Sequence, residues 1–191
     1  MTVILASASP RRRELLRSAG IECETLPAHI DESLRHGEAA EEYVRRVAKE
    51  KAFAVAPACP AGSVVLAADT TVEINGEILG KPENGEDAAR MLRLLSGVTH
   101  HVLTGVCLAC APARLHALEV ETTAVTFRRL DEDEIRDYIA TGEPFDKAGA
   151  YGIQGLASKF VARIEGCFFN VVGLPVSLVY GLLSSLPDGR P

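Results

Sequence analysis

The first twenty residues constrain the fold most, because an apolar run passes there directly into the start of a helix. Residues 3–6 are all apolar and predict a short buried strand. Ser9 suits the N-cap of a following helix, and Pro10 suits its first position, where the missing N–H costs nothing. We predict this helix over residues 10–19, with Gly20 ending it. A strand followed at once by a helix is typical of an α/β protein.

The same junction predicts a binding site for anionic oxygens such as those of phosphate. The free N–H groups at a helix start and the positive end of the helix dipole both favour an anion. Arg11 and Arg12 stand beside them, and guanidinium groups bind phosphate strongly. Ser7 and Ser9 complete the segment and join the candidate substrate-binding residues. The alternative is an ordinary capped helix with solvated arginines.

Composition excludes several classes of protein. A chain of 191 residues can bury one full core, or one core split by a cleft. The net charge of −6 argues against broad binding of nucleic acid. No apolar run reaches the length of a membrane span, and the first residues lack a secretory signal pattern. We therefore expect a cytoplasmic protein that binds neither membrane nor nucleic acid.

The cysteines support the same location. Five is an odd number, and it fits reduced thiols better than a set of disulfides. Cys107 and Cys110 form a lone C-x-x-C inside a predicted strand, so we expect no metal or redox role for them.

Strand and helix signals alternate along the rest of the chain. We predict one α/β domain over residues 1–191, with two lobes around a cleft. The further predicted strands cover residues 22–26, 63–68, 72–74, 77–79, 101–109 and 115–127, with another hairpin around residues 165–166. The further predicted helices are one whose apolar face runs from Tyr43 to Val55, one over 85–95, one from Asp131 to just before Gly142, and one from Pro175.

Two carboxylates are candidates for catalysis or metal binding. Asp69 follows the apolar run 63–68, and ligands of α/β proteins gather outside the carboxyl ends of strands. A carboxylate there can hold a divalent cation or orient a water molecule. Glu32, in the polar loop after the second strand, can complete a two-carboxylate Mg²⁺ site. The alternatives are a turn or cap residue for Asp69 and an ordinary surface residue for Glu32.

Two lysines and one loop are candidates for binding a nucleotide. Lys51, near the edge of a helical apolar face, and Lys81, in a Gly-Lys-Pro turn, can neutralise a polyphosphate. The alternative for each is a solvated lysine or a surface ion pair that contributes little. The glycine-rich segment 146–155 allows close approach of backbone to a ligand, although it matches neither dinucleotide nor P-loop patterns. Within it, Gln154 offers a donor and an acceptor to a base, and Tyr151 offers a ring for stacking. The alternative is a structural glycine-rich turn.

Taken together, these motifs resemble those of the Maf family of nucleoside triphosphate pyrophosphatases. The matching motifs run nearly end to end and stand in a single order, which makes them far more specific than any one of them. They are residues 7–12, 31–32, 49–52, 68–70, 80–82, 95–97, 145–155 and 171–175.

The resemblance implies an inosine-triphosphatase-like α/β fold, with a mixed sheet, helices and a central cleft. Family members hydrolyse a nucleoside triphosphate to the monophosphate and pyrophosphate with a divalent cation, and are thought to remove unwanted nucleotides. The resemblance places the catalytic proton acceptor at Asp69. It places other functional charged residues at Arg12, Glu32, Lys51 and Lys81. It also implies Mg²⁺ or Mn²⁺ held by Glu32 and Asp69, and it suggests a homodimer.

Three positions indicate the branch of the family. The branch that acts on 7-methyl-GTP typically has Trp, Gln and Glu where this sequence has Arg11, Thr70 and Gln154. All three residues resemble the branch that prefers dTTP and UTP. A neutral amide also matches the carbonyl and N3–H groups of uracil or thymine better than a carboxylate does.

We therefore expect hydrolysis of dTTP and UTP by a nucleotide-pool house-cleaning enzyme. One alternative is the same reaction on 7-methyl-GTP or another purine triphosphate. The other is a nucleotide-binding regulator of septum formation without turnover.

Overall fold

The computed structural model describes residues 2–186 and contains a seven-stranded sheet flanked by helices. The strands are β1 Val3–Leu5, β2 Glu24–Thr25, β3 Val64–Ile74, β4 Glu77–Leu79, β5 Thr99–Cys110, β6 Arg114–Phe127 and β7 Val161–Glu165. The α-helices are α1 Pro10–Ser18, α2 Ala40–Val55, α3 Gly85–Leu95, α4 Glu132–Ala140, α5 Phe168–Val172 and α6 Val176–Ser184. Short 3₁₀ segments cover Ala56–Ala58, Glu143–Asp146, Ala148–Ala150 and Leu156–Phe160.

The sheet is mixed, as predicted. Its strand order is β2-β1-β3-β5-β6-β7, and β4 pairs with β3 outside that path. β1 pairs in parallel with both β2 and β3, whereas β4 and β7 pair antiparallel with β3 and β6. The predicted α/β class is therefore confirmed. Within residues 2–186, every helix is too short or too polar to cross a membrane.

The chain divides into two compact units. The first contains the residues up to Asp69, Thr104–Glu121 and the residues from Gly173 onward; the second contains Thr70–Leu103 and Thr122–Val172. Strands β3, β5 and β6 each contribute residues to both units. The single domain with a cleft that the sequence suggests stays a prediction.

Small side chains bring α2 close to the strands of the first unit. Ala48 and Ala52 belong to a buried cluster that includes Val65 of β3. At Gly105 of β5, a Cβ atom would lie only 2.2 Å from the carbonyl oxygen of Val44. The backbone of α2 therefore rests directly on β5, which only glycine permits. The apolar face predicted for this helix is confirmed.

Aromatic rings fill the core of the second unit. His100 and Tyr151 pack edge to face with centroids 5.4 Å apart, and Phe127 packs against Tyr151 at 4.8 Å. Nε2 of His100 lies 2.8 Å from the hydroxyl oxygen of Tyr151. Within the described residues, Nδ1 of His100 is buried without a hydrogen-bond partner. A proton on Nδ1 would find no hydrogen-bond acceptor there. Burial accordingly lowers the pKa of His100 to about 4 from its ordinary 6.5.

His100 should make the protein sensitive to mild acid. Because its folded-state pKa lies below the unfolded one, the unfolded chain takes up a proton first as the pH falls below 6.5. The stability present at pH 7 is therefore lost progressively down to about pH 4, amounting to roughly 2 kcal/mol between pH 7 and pH 5. Urea denaturation at both values measures it. His100→Gln should remove this part of the acid loss, and the exposed His29→Gln should not; an equal loss in both variants would contradict the assignment.

Several local predictions are confirmed. Oδ1 of Asn84 accepts the N–H of Asp87 at 3.0 Å, so Asn84 caps α3 as expected. Asp131 and Glu134 form the predicted capping box of α4, at 2.8 and 3.2 Å. The turn at residues 75–76 joins β3 to β4 with both residues at positive φ, 53° and 82°.

Two strand predictions are wrong. The runs 63–68 and 72–74 are parts of one strand, β3, which continues through Asp69. Its first part pairs with β1 as far as Leu66 and its last part pairs with β4. The hairpin predicted at residues 165–166 is also wrong, because β7 pairs with β6 and the chain then enters α5.

All five cysteines lie in the described part of the chain and are free thiols. Cys107 is buried in β5, and burial raises its pKa to about 12. Cys110 lies three residues further along the same strand, so the two side chains point to opposite faces.

Candidate active site

A buried ammonium group joins three elements of the first unit. Nζ of Lys51 on α2 donates to Oδ1 of Asp69 on β3 at 2.8 Å. It also donates to Oε2 of Glu32, in the loop between β2 and α2, at 2.7 Å. Lys51 and Asp69 are only 8% and 7% exposed, whereas Glu32 is exposed. The three residues that the sequence nominated separately are therefore in direct contact.

The close packing of α2 explains how Lys51 reaches Asp69. Lys51 follows Val47 and Ala48 by one turn and lies on the buried side of the helix. Its aliphatic stem is covered with them, while the ammonium extends to the carboxylates, as long cationic side chains commonly do. The sequence analysis placed Lys51 near the edge of the apolar face, and the structure shows that it is buried there.

Arg12 is also buried and contacts the chain next to Asp69. Its Nη1 donates to the carbonyl oxygen of Ala68 at 2.8 Å and to Oγ of Ser7 at 3.3 Å. Its Nε donates to the carbonyl oxygen of Gly173 at 2.8 Å. The alternative of solvated arginines is therefore wrong for Arg12. It shares the inner face of α1 with Leu15, three residues further along.

The start of α1 is built differently from the prediction. Ser9 occupies the N-cap and Pro10 the first turn, as expected. Within the described residues, however, the Ser9 side chain makes no capping hydrogen bond. Instead, Oγ of Ser7 accepts the N–H of Ser9 at 3.2 Å. Ser7 thus links the helix start to Arg12.

Burial and charge oppose each other in this cluster. Burial raises the pKa of Asp69, and the nearby charges of Lys51 and Arg12 act in the opposite direction. Burial lowers the pKa of Arg12, against the attraction of Asp69 and Glu32. Two cations thus face two anions, and each ion's partners offset the cost of removing it from water. Tyr43, beside the two carboxylates, has its pKa raised to about 12, mainly by burial.

The two carboxylates fit a divalent cation that takes most of its ligands from elsewhere. Glu32 and Asp69 both approach a single cationic atom, Nζ of Lys51, so their oxygen atoms already converge on one positive centre. Mg²⁺ is commonly bound through one or two carboxylates, with water and substrate phosphate completing its shell. Among residues 2–186, no three His, Cys, Asp or Glu side chains are grouped to hold a metal. The donor set therefore suits an ion delivered with a phosphate substrate.

The other predicted site residues are positioned as follows. Arg11 is half-buried on α1 in the first unit. In the second unit, Thr70 is half-buried on β3, Lys81 is exposed just after β4, and Gln154 is exposed in the glycine-rich loop.

The glycines of that loop make room for side chains of the protein itself. A Cβ atom on Gly152 would lie 2.4 Å from Cε of Lys147, and one on Gly155 would lie 2.2 Å from Oε1 of Glu143. The Glu143 carboxylate in turn accepts the N–H of Leu156 at 3.0 Å. A structural role, which is the alternative to ligand binding, thus accounts for Gly152 and Gly155. Tyr151 packs in the aromatic core and does not present a ring face for stacking on a base.

Sequence reasoning missed the residues that hold Glu32 in place. The Tyr43 hydroxyl donates to the carbonyl oxygen of Glu32 at 3.0 Å, and Arg46 binds the carboxylate of Glu38 at the end of the same loop. Tyr43, Arg46 and Glu50 follow one another at spacings of three and four residues, a single stripe along α2. This stripe of polar side chains next to Lys51 on α2 is the sequence pattern that could have identified these residues.

The fold and the site together define an α/β protein with a buried, charge-balanced cluster suited to phosphate chemistry. The chain matches the family description "Maf-like protein" over residues 2–186. It is 52% identical to the dTTP/UTP pyrophosphatase of Koribacter versatilis over 183 residues, which cover 96% of this chain and 93% of that protein. It is 54% identical to the dTTP/UTP pyrophosphatase of Anaeromyxobacter sp. (strain Fw109-5) over 184 residues, covering 95% and 87%. This chain belongs to the Maf family, which confirms the resemblance seen in its motifs.

A weaker likeness is found among solved structures. The Staphylococcus aureus Ham1 protein is 16% identical, with a TM-score of 0.47 over 66% of this chain and 72% of that one.

Proposed function

We propose that this chain is a dTTP/UTP pyrophosphatase, which hydrolyses these triphosphates to the monophosphate and pyrophosphate. The observation that carries the proposal is the convergence of Glu32 and Asp69 on Lys51, at 2.7 and 2.8 Å. Relatives about half identical along nearly the whole chain bear that enzyme's name. The geometry supports pyrophosphate release, and the names of the relatives support the choice of base.

In the proposed reaction a water molecule attacks the α-phosphorus of the substrate. A bond forms from the water oxygen to that phosphorus, and the bond to the oxygen bridging to the β-phosphorus breaks. Pyrophosphate leaves with the bonding electron pair. Asp69 accepts the proton of the attacking water, a role to which a carboxylate with a pKa raised by burial is suited. Lys51 holds the Asp69 carboxylate in place through its hydrogen bond.

Glu32, together with Asp69, would hold a divalent cation. Mg²⁺ or Mn²⁺ bound there would offset negative charge on the phosphates. Arg11, Arg12, Lys51 and Lys81 are proposed to balance the remaining charge of the triphosphate and of the leaving group. Ser7, Ser9, Thr70 and Gln154 are proposed substrate contacts, with Gln154 assigned to the base.

The cellular setting is part of the same proposal. Free thiols at all five cysteines fit the cytoplasm. We propose a nucleoside triphosphate as substrate, without a nucleic-acid or membrane partner. The homodimer that the resemblance suggests remains a prediction.

Pyrophosphate release across a panel of nucleotides tests the proposal. The purified protein is assayed with dTTP, UTP, CTP, dATP, GTP and 7-methyl-GTP, with Mg²⁺ or Mn²⁺ present. We expect the highest kcat/KM with dTTP and UTP. After metal-free preparation and with excess chelator, turnover should be lost and added Mg²⁺ should restore it, because Glu32, Asp69 and the substrate phosphates supply only oxygen ligands, which suit a hard divalent cation.

Each contrary result identifies a different error. Preference for 7-methyl-GTP or GTP would overturn the choice of base and keep the reaction. Nucleotide binding without pyrophosphate release would favour a regulator without turnover. Full activity in chelator would overturn the cation proposal.

A further inference from the structure

We propose that Arg46 is a positioning residue that holds the loop of residues 31–38 against α2 and thereby places Glu32 on Lys51. The inference rests on the proposed function, because it assigns Arg46 an effect on turnover that acts through Glu32. Arg46 lies on α2, on the polar stripe beside Lys51. Its guanidinium reaches the 31–38 loop at two separate points, Ser33 and Glu38.

Arg46 makes a forked contact with the end of the loop. Its Nε donates to Oε1 of Glu38 at 2.6 Å, and its Nη2 donates to Oε2 of the same carboxylate at 2.8 Å. The side chains of Arg46 and Glu38 are only 12% and 9% exposed. A two-point, largely covered contact between guanidinium and carboxylate is much stronger than an ordinary surface ion pair. The Arg46 hydrogen bond also lowers the pKa of Glu38 to about 2, so this carboxylate stays ionised at neutral pH.

Further contacts from α2 hold the start of the loop. Nη2 of Arg46 donates to the carbonyl oxygen of Ser33 at 3.0 Å. The Tyr43 hydroxyl donates to the carbonyl oxygen of Glu32 at 3.0 Å, and the Arg46 guanidinium lies 5.6 Å from the centre of the Tyr43 ring. That distance is within the range of a cation–π contact. Glu32 is therefore bound to α2 through its backbone, its side chain and its neighbour.

Side-chain packing contributes little to the position of the 31–38 loop. Residues 31–37 are all exposed, and Leu34, the large apolar side chain among them, is 51% exposed. Asp31 bonds the N–H and hydroxyl of Ser33, but these contacts lie within the loop itself. Since no side chain between residues 31 and 38 is fully buried, hydrophobic packing does not fix this loop. Contacts with α2 do so instead, namely those with Tyr43, Arg46 and Lys51. An exposed ion pair at 3.0 Å between Nη2 of Arg35 and Oε1 of Glu50 adds to them, and an exposed pair of this kind contributes little.

The first test compares Arg46→Met with Arg45→Met. Arg45 precedes Arg46 on α2 and makes contacts of the same types, to the carbonyl oxygen of Leu118 and to Glu41, both at 2.8 Å. Neither of those partners belongs to the 31–38 loop, so Arg45→Met is a matched control. We expect Arg46→Met to lower kcat for dTTP by roughly 10- to 100-fold, as small displacements of catalytic groups do. KM should change less, and Arg45→Met should stay near wild type in both constants.

A second arm asks whether the effect passes through Glu32. In a Glu32→Gln background, Arg46→Met should lower kcat by less than about twofold, because the carboxylate that Arg46 positions is already gone. An equal loss in both backgrounds would overturn the inference. Glu38→Gln weakens the forked contact without shortening the side chain, and it should reproduce part of the Arg46→Met loss. It also serves as the test variant if Arg46→Met does not fold.

A third arm does not depend on activity. Trypsin can cut after Arg35, which is exposed within the 31–38 loop, and mass spectrometry measures the rate at that bond. Release of the loop should speed this cleavage in Arg46→Met and Glu38→Gln but not in Arg45→Met. An unchanged rate would overturn the inference even in an active enzyme. If the wild type releases no pyrophosphate from any triphosphate, the proposed function fails, and the cleavage rates still decide whether Arg46 holds the loop.

Discussion

We expect Asp69→Asn to abolish turnover of dTTP and UTP while the protein still folds and binds nucleotide. The amide cannot accept a proton from the attacking water, and loss of a positioned base typically costs about 10²- to 10⁴-fold in rate. The fold should survive because asparagine has the same shape. Its carbonyl oxygen can still accept the hydrogen bond that Nζ of Lys51 gives to Oδ1, and Lys51 keeps Glu32 as an ionic partner.

The assay for Asp69→Asn is pyrophosphate release with saturating dTTP and Mg²⁺, run beside far-UV circular dichroism and a nucleotide-binding titration. Asp133→Asn is the matched control, because this exposed acid of α4 pairs only with neighbours on its own helix among the described residues. It should turn over at the wild-type rate. Near-wild-type release by folded Asp69→Asn protein would remove Asp69 from its proposed role.

We expect Gln154→Glu to lower kcat/KM for dTTP and UTP sharply. The change removes the amide donor proposed to bind a base carbonyl, and it sets a negative charge beside that carbonyl instead. A site left with an unpaired polar group can discriminate between substrates by as much as ~10⁴-fold in favourable cases. Because Gln154 is exposed in the structure, the substitution should leave the free energy of unfolding nearly unchanged.

Gain of activity on 7-methyl-GTP should require three changes together. Arg11→Trp would offer a stacking face to a cationic purine, and Thr70→Gln with Gln154→Glu would complete the pattern of that branch. The measurement is kcat/KM for dTTP, UTP and 7-methyl-GTP in the wild type, the single variant and the triple variant. Ser158→Glu, which adds the same charge at an exposed position four residues away, is the control and should keep wild-type preference. An unchanged dTTP value in Gln154→Glu would show that the branch assignment is wrong.

The features that the sequence predicted well depend on contacts between near neighbours. Asn84 caps α3 through an atom only three residues away, and Asp131 and Glu134 do the same for α4. The turn at residues 75–76 needs only two residues that tolerate positive φ. Such signals are complete within a few positions, so no knowledge of the remaining chain is needed to interpret them.

The features that escaped prediction depend on partners far along the chain. The two predicted runs of β3 form one strand whose first part pairs with β1, near the start of the chain, and no local pattern shows that pairing. Arg12 can be buried because its guanidinium donates hydrogen bonds to the carbonyl oxygens of Ala68 and Gly173, which lie far from it in the sequence. The nominated residues Glu32, Lys51 and Asp69 were found by motif, but their direct contact required the tertiary structure.

Because Gly105 has no side chain, α2 packs close enough to β5 for the Lys51 ammonium to reach Asp69. Any Cβ atom at this position would press on the carbonyl oxygen of Val44 and lift α2 away from β5. Lys51 lies seven residues, or two turns, beyond Val44 on the same helix, so lifting the helix would withdraw its ammonium from Asp69. Because Gly105 carries a hydrogen atom in place of a side chain, the Lys51 ammonium lies within hydrogen-bond distance of Asp69 and Glu32. The alignment of the proposed catalytic groups therefore depends on how closely α2 packs on β5 as well as on the groups themselves.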